Sequence, residues 1–257
     1  METKIGIGLL GLGTVGGGVA DILQSPKGRN PLVSKVELIR VAVRDINKQR
    51  NTSITSSKLT ENPLEVIEDP SIQIVVEVMG GIEPARSLIL RAIELGKSVV
   101  TANKAVIARY GEEIAQAANN SGVYVLIEAA VGGGIPIIEP LKQSLGGNKI
   151  KKVTGIINGT TNYILSRMAK DASSSYENIL KDAQSLGYAE SDPTADVEGV
   201  DAADKIAILS GLAFGGSINR ENIPTKGINN LQSRDIDYAE QLGYGVKLLS
   251  IAENLEY

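Results

Sequence analysis

Cysteine, histidine and tryptophan are absent from the sequence, and phenylalanine occurs once. Without cysteine there is no disulfide and no thiolate nucleophile. Without histidine there is neither an imidazole base nor an imidazole metal ligand. Any proton transfer must therefore use Lys, Asp, Glu or Tyr. Long basic tracts are missing too, and the net charge is −4, which argues against nucleic acid as a partner. The longest apolar runs, such as 206–216, are too short to span a bilayer, so no membrane partner is expected. Met1-Glu2-Thr3-Lys4 leads straight into a strand pattern without the features of a signal peptide, and a cytoplasmic location is the expectation.

What is present is a chain of 257 residues, 42% hydrophobic and 22% charged, enough for one large domain or two small ones. Its first half alternates short apolar runs with amphipathic stretches. Ile5–Gly11, Val36–Val43, Ile72–Val78, Ser98–Thr101 and Val123–Ala129 read as strands. Between them Val15–Gln24, Pro84–Leu95 and Ala105–Asn119 carry helical spacing, the second closed by Gly96. Strands apolar on both faces, alternating with helices, mean a parallel sheet covered on each side. The fold class expected is α/β, with a Rossmann-type parallel sheet over 1–130 followed by an α+β domain over 131–257. In that second part Lys149–Ile157 alternates like a strand. Three helical stretches follow at Thr160–Lys170, Tyr176–Leu186 and Gly199–Phe214. Ile223–Asn229 and Gly245–Ala252 read as further strands around a helix at Asp235–Leu242. The chain stops directly after the last strand candidate, which reads as a truncation.

Gly11-Leu12-Gly13-Thr14-Val15-Gly16 matches G-x-G-x-x-G, follows a strand and opens a helix. The glycines allow the tight turn, the approach of a pyrophosphate and the packing of helix on strand. The anion then rests on the helix N-terminus. The plainer reading is a tight turn and nothing more. At the tip of the second strand Arg44 precedes Asp45. An acid there suits the ribose hydroxyl of NAD and an arginine the 2′-phosphate of NADP, and Lys48 and Arg50 nearby tilt the choice to NADP.

Gly80-Gly81 and Thr101-Ala102-Asn103-Lys104 close two strands at the edge where α/β sheets bind ligands. Lys104 there is either a surface charge or a group facing the nicotinamide or substrate. Glu128 and the run Val131-Gly132-Gly133-Gly134-Ile135 offer carboxylate and carbonyl oxygens to a hard monovalent cation, or simply form an interdomain hinge. From Glu190 through Asp192, Asp196, Glu198, Asp201 and Asp204, six carboxylates precede one lysine, Lys205. Lys205 starts a stretch apolar all round and so buried. Asp201 and Lys205 are i,i+4 and share a helix face. This is either a proton-transfer and ammonium-binding site or a helix ion pair beside a solvated acidic loop.

Taken together, Leu10–Gly16, Thr101–Lys104, Glu128–Pro136, Asn158-Gly-Thr-Thr-Asn-Tyr-Ile164 and Gly187–Pro193 through Asp201–Lys205 resemble the homoserine dehydrogenases, in the family's order and over nearly the whole chain. The resemblance implies an NAD(P)-dependent oxidoreductase that interconverts L-aspartate 4-semialdehyde and L-homoserine, on the route to threonine, methionine and isoleucine. It implies Gly11, Gly13, Thr14, Val15 and Gly16 at the dinucleotide, with Arg44, Lys104 and Gly187 also on the cofactor side; Gly80 and Thr101, at the ends of their strands, join them as cofactor candidates. It implies sodium at Glu128, Val131, Gly133 and Ile135. Glu190 and Asp201 match the family's homoserine ligands, and Asp196 between them joins them as a substrate candidate. Lys205 matches its proton donor, with Lys104 as the second catalytic candidate. A homodimer is implied as well, with 131–257 as the substrate-binding and dimerisation domain. Family members continue with further strands and a glycine-rich segment, so the competing reading is a dinucleotide-binding scaffold that turns nothing over. A phosphorylating semialdehyde dehydrogenase is excluded, since it needs a catalytic cysteine.

Overall fold

The computed structural model describes residues 4–50, 53–170, 175–189 and 192–255. The chain divides into two compact units, Met1–Pro136 and Ile137–Tyr257.

In the first unit, strand β1 (Ile5–Leu10) runs into helix α1 (Thr14–Gln24), and the chain returns through a 3-10 turn to β2 (Val36–Ala42). A two-residue strand β3 (Leu59–Thr60) and a one-turn helix α2 (Leu64–Ile67) follow. Then β4 (Ile74–Glu77), α3 (Ala85–Glu94), β5 (Ser98–Thr101), α4 (Lys104–Ser121) and β6 (Val125–Leu126) complete the alternation. The strand order is β3-β2-β1-β4-β5-β6 and every pairing is parallel. Ile7, Leu9, Val41 and Val76 fill the core between sheet and helices, with Ala20 of α1 against them. Chain order reverses direction between β1 and β4, which opens a crevice at their carboxyl ends.

The second unit is mainly helical. Strand β7 (Lys152–Gly155) pairs antiparallel with β8 (Ser250–Glu253). Between them lie α5 (Gly159–Lys170), α6 (Tyr176–Ser185), the one-turn α7 (Thr194–Val197), α8 (Val200–Phe214) and α9 (Ser233–Gln241). Ile164, Leu165 and Met168 of α5 pack with Ile179 of α6, Val197, Ile228 and Ile236 in a single core. Helix α8 is buried almost all round: Ala202, Ala203, Ile206, Ala207, Ile208 and Leu209 are all buried. It packs against both strands of the ribbon.

Three expectations need correction. The strand expected at Ile223–Asn229 is a loop. Pro224 has no N–H to give a ladder, Ile228 N–H donates to Val197 O at 2.7 Å, and Gly227 lies against the Val197–Glu198 backbone. Its hydrophobic residues thus serve α7 and the helical core. The strand expected at Val123–Ala129 pairs only over Val125–Leu126, because the chain turns into a 3-10 turn at Glu128–Ala130. The last strand occupies Ser250–Glu253 rather than Gly245–Ala252.

Candidate active site

Gly11 follows β1 with φ of 101°, a left-handed conformation that only glycine takes without strain. Its N–H donates to Ala42 O at 3.0 Å, which ties the turn to the end of β2. Gly16 then brings α1 onto the turn: a Cβ there would stand 2.2 Å from Gly11 O. At Gly13 a Cβ would meet nothing within 4 Å, so the space before the helix is open. The first turn of α1 has no side-chain cap and no acidic residue, and Thr14 and Val15 beside it are exposed. Free N–H donors, a positive helix end and room for phosphate oxygens make a site that fits a dinucleotide pyrophosphate.

Arg44 is exposed beyond the tip of β2. Its neighbour Asp45 is engaged locally: one carboxylate oxygen accepts from Asn47 N–H at 2.8 Å and its carbonyl accepts from Arg50. Gly80 and Gly81 both have φ of 76° after β4.

Thr101, by contrast, is fully buried. Its hydroxyl donates to Glu77 Oε2 at 2.7 Å and accepts from Asn103 N–H at 2.9 Å. Asn103 caps α4 by accepting from Val106 N–H, and Lys104 is the first residue of that helix.

The glycine run at 131–135 forms a tight turn. Gly132 and Gly134 have positive φ, and Ile135 N–H donates to Gly132 O at 2.6 Å. Val131 is buried while Gly133 and Ile135 are exposed. Among the described residues no three Asp, Glu, His or Cys side chains cluster as metal ligands. A cation here would rest on Glu128 and main-chain carbonyls, an oxygen set suited to a hard ion.

In the second unit the acidic stretch and its lysine converge on one side chain. Lys205 Nζ lies 2.7 Å from Asp201 Oδ2 and donates to Ile157 O at 2.9 Å. Asn158 Nδ2 donates both to Asp201 Oδ2 at 2.8 Å and to Asp196 Oδ1 at 2.7 Å. Asn158 Oδ1 in turn accepts from Thr161 N–H at 2.8 Å, so the start of α5 fixes the amide. Asp201 is 5% exposed, while the Lys205 side chain keeps 17% of its surface. The geometry presents a half-buried ammonium whose carboxylate partner is itself held by an amide, which suits a proton donor with fixed orientation. Asp192, at the mouth of the loop, has its carboxyl held below the usual range by hydrogen bonds from Thr194.

One helical turn on, Asp204 Oδ1 meets Arg220 Nε at 2.5 Å. Both side chains are buried, and Arg220 Nη2 also donates to Val200 O at 3.2 Å. Gly187 follows α6 with φ of 79°. Tyr188 beside it stacks on Tyr163 with centroids 4.8 Å apart, and its carbonyl accepts from Thr160. Glu190 lies outside the described residues.

The first unit thus gathers Gly11, Gly13, Gly16 and Gly80 with Lys104 and Thr101 at the carboxyl edge of its sheet, and the second gathers Asp196, Asp201 and Lys205. Two residues carry weight that their sequence context did not assign. Asn158 stood inside a recognisable motif without a role. Glu77 is a lone acid in an otherwise apolar strand, and that oddity was the available signal.

Comparison with known proteins gives two family matches. Residues 11–128 match the family model described as homoserine dehydrogenase, NAD binding domain, and residues 136–256 match that described as homoserine dehydrogenase. The homoserine dehydrogenase of Synechocystis is 59% identical over 247 residues, 96% of this chain. The chain spans 57% of that protein's length. The crystal structure of a homoserine dehydrogenase from Thiobacillus denitrificans superposes with a TM-score of 0.89 at 49% identity, covering 98% of this chain and 58% of the other. A hyperthermophilic archaeal homoserine dehydrogenase in complex with NADPH matches with a TM-score of 0.78 at 26% identity, covering 98% of this chain and 79% of that one.

Proposed function

Because the chain belongs to the homoserine dehydrogenase family, we propose that it catalyses the NAD(P)H-dependent reduction of L-aspartate 4-semialdehyde to L-homoserine, and the reverse. The observation that carries this reading is the Asn158–Asp201–Lys205 arrangement. It is a half-buried ammonium oriented by a carboxylate in a protein that has no histidine or cysteine to move protons.

Bound nicotinamide supplies the hydride, or accepts it in oxidation. Lys205 gives a proton to the oxygen of the reduced aldehyde, and takes it back when homoserine is oxidised. Asp201 and Ile157 O hold its Nζ in one place. Glu190, Asp201 and Asp196 hold the substrate's ammonium or hydroxyl group, the last two with carboxylates that accept from Asn158. Lys104, at the head of α4, lies on the cofactor side and stabilises the developing alkoxide.

Gly11, Gly13, Thr14, Val15 and Gly16 hold the pyrophosphate, Gly80 and Thr101 belong to the cofactor site by their places at strand ends, and Gly187 by the family resemblance. Arg44 favours NADP over NAD, supported by the local engagement of Asp45. Sodium binds at Glu128 and the carbonyls of Val131, Gly133 and Ile135. In this reading 1–130 is the dinucleotide domain, 131–257 the substrate domain, and the working unit a cytoplasmic homodimer.

The test is NADPH or NADH oxidation by the purified chain with L-aspartate 4-semialdehyde. Turnover supports the proposal. Cofactor binding without turnover leaves a dinucleotide-binding scaffold, and the absence of both refutes the reading altogether.

A further inference from the structure

Glu77 is a carboxylate with no solvent exposure at the end of β4, and the mechanism above does not use it. Its neighbours explain what it does. Oε2 accepts from the Thr101 hydroxyl at 2.7 Å, across the β4–β5 pair. Oε1 accepts from Met79 N–H at 2.8 Å and, at 3.5 Å, from Asn103 Nδ2. Asn103 Nδ2 also donates to Gly81 O at 2.7 Å, and Asn103 Oδ1 caps α4. One acidic side chain therefore ties together two loops at the carboxyl edge of the sheet. The first loop is Val78–Gly81, which has no Cβ at Gly80 or Gly81 and takes positive φ at both. The second is Ala102–Asn103, which sets the first residue of α4, Lys104.

Burying a carboxylate costs heavily unless its lone pairs are filled. Here donors from both loops fill them, so each loop is held by the need of the other. Loops so close to a ligand crevice would otherwise sample several conformations, and ordering them on binding would cost affinity.

We propose that Glu77 is a positioning residue that preforms the nicotinamide end of the cofactor site, fixing Gly80–Gly81 and Lys104 through Thr101 and Asn103. The glycine turn at 11–16 touches this network only where Gly11 and Gly16 pack against Val78 and Met79; it gives Glu77 no hydrogen bond among those described and serves the pyrophosphate end. The inference rests on the dinucleotide reading above. It separates the two ends of the cofactor energetically, which a general role in folding would not do.

The experiment compares ligands that do and do not carry nicotinamide. NADPH and NADH, with 2′-phospho-ADP-ribose and ADP-ribose as their nicotinamide-free counterparts, are titrated into the parent chain and into Glu77→Gln. The amide keeps only one accepting oxygen, so its NH2 faces a donor, either the Thr101 hydroxyl or the Met79 N–H, and one of the two bonds is lost. Losing that charge-assisted bond should raise the Kd of the reduced dinucleotide about tenfold. Binding of the nicotinamide-free fragment should stay within about twofold.

Equal weakening of both ligands would show a structural role only and overturn the proposal, as would no change in either. Should Glu77→Gln fail to fold, Asn103→Ser removes the amide that joins Glu77 to Gly81 while keeping a side-chain oxygen to cap α4. It should weaken the reduced dinucleotides about tenfold and their nicotinamide-free counterparts by no more than about twofold. An Asn103→Ser protein that binds all four ligands like the parent, or weakens both kinds equally, refutes the inference. A parent that binds none of the four ligands refutes the dinucleotide reading itself, and is distinguishable from a parent that binds normally while its variants do too.

Discussion

Alanine placed at Gly13, Gly16 and Gly18 should give three different results, because the same methyl group meets three different surroundings. At Gly16 it would stand 2.2 Å from Gly11 O and 3.0 Å from Gly11 C, both backbone atoms of the turn that β1 feeds. Neither can retreat without shifting β1 or lifting α1 from the sheet. Overpacking of this kind costs about 1–3 kcal/mol, and so close a contact belongs at the upper end. Alanine's better helix propensity returns at most ~1 kcal/mol. A net loss of about 2 kcal/mol should lower Tm by roughly 4–8 °C for a chain of this size.

At Gly13 the backbone has φ of −87°, which alanine adopts freely, and the added carbon meets nothing within 4 Å. The cost there is the poorer N-cap, no more than about 1 kcal/mol. The methyl instead occupies the room a pyrophosphate needs. Losing even one charge-assisted N–H···phosphate bond should raise the NADPH Kd about tenfold or more. Gly18 is exposed within α1, again with open space around it. Alanine there should stabilise by ~0.5–1 kcal/mol and leave binding alone. Thermal melts of the ligand-free protein and NADPH titrations separate the three. A Gly16→Ala protein that melts with the parent, or a Gly13→Ala protein that binds NADPH like the parent, would refute the reasoning.

Lys205→Ala should lower kcat by about 10²–10⁴-fold while NADPH affinity stays near the parent's; turnover at the parent rate would move the proton to Lys104 or water. Arg44→Ala should weaken NADPH more than NADH in direct titrations, and equal losses would remove the case for a 2′-phosphate contact. Replacing sodium by a large organic cation at equal ionic strength should lower activity or melting temperature if Glu128 and its carbonyls hold the ion. Indifference to the exchange would leave the 131–135 loop as a hinge.

The first unit was legible because its strands are buried on both faces and its helices on one, so β1, β2, β4 and β5 stand out as apolar runs. The edge strand β3 spans two residues and α2 a single turn, too short for any period to register. At 223–229 hydrophobic residues were visible but their destination was not, since the partner that claims Ile228 is Val197. The site divides in the same way. Asp201 and Lys205 are neighbours by helical spacing, and the structure brings them together. Asn158 reaches Asp201 across 43 positions, a relation that no local pattern encodes. Thr101 was read at the cofactor from its place at a strand end, while its hydroxyl is committed inward to Glu77.

The buried Asp204–Arg220 pair bears on how this sequence can change over time. Losing either partner strands a buried charge and costs about 3–5 kcal/mol, whereas exchanging both for apolar residues of similar volume is often neutral. A loss of that size consumes much of a domain's stability margin. Single substitutions at Asp204 or Arg220 therefore lead into a valley that few descendants survive, although a viable double replacement lies on the far side. The pair would persist through lineages for want of a one-step exit, independently of any benefit to turnover. A library randomised at both positions at once should recover folded, ion-free combinations that stepwise mutagenesis does not reach.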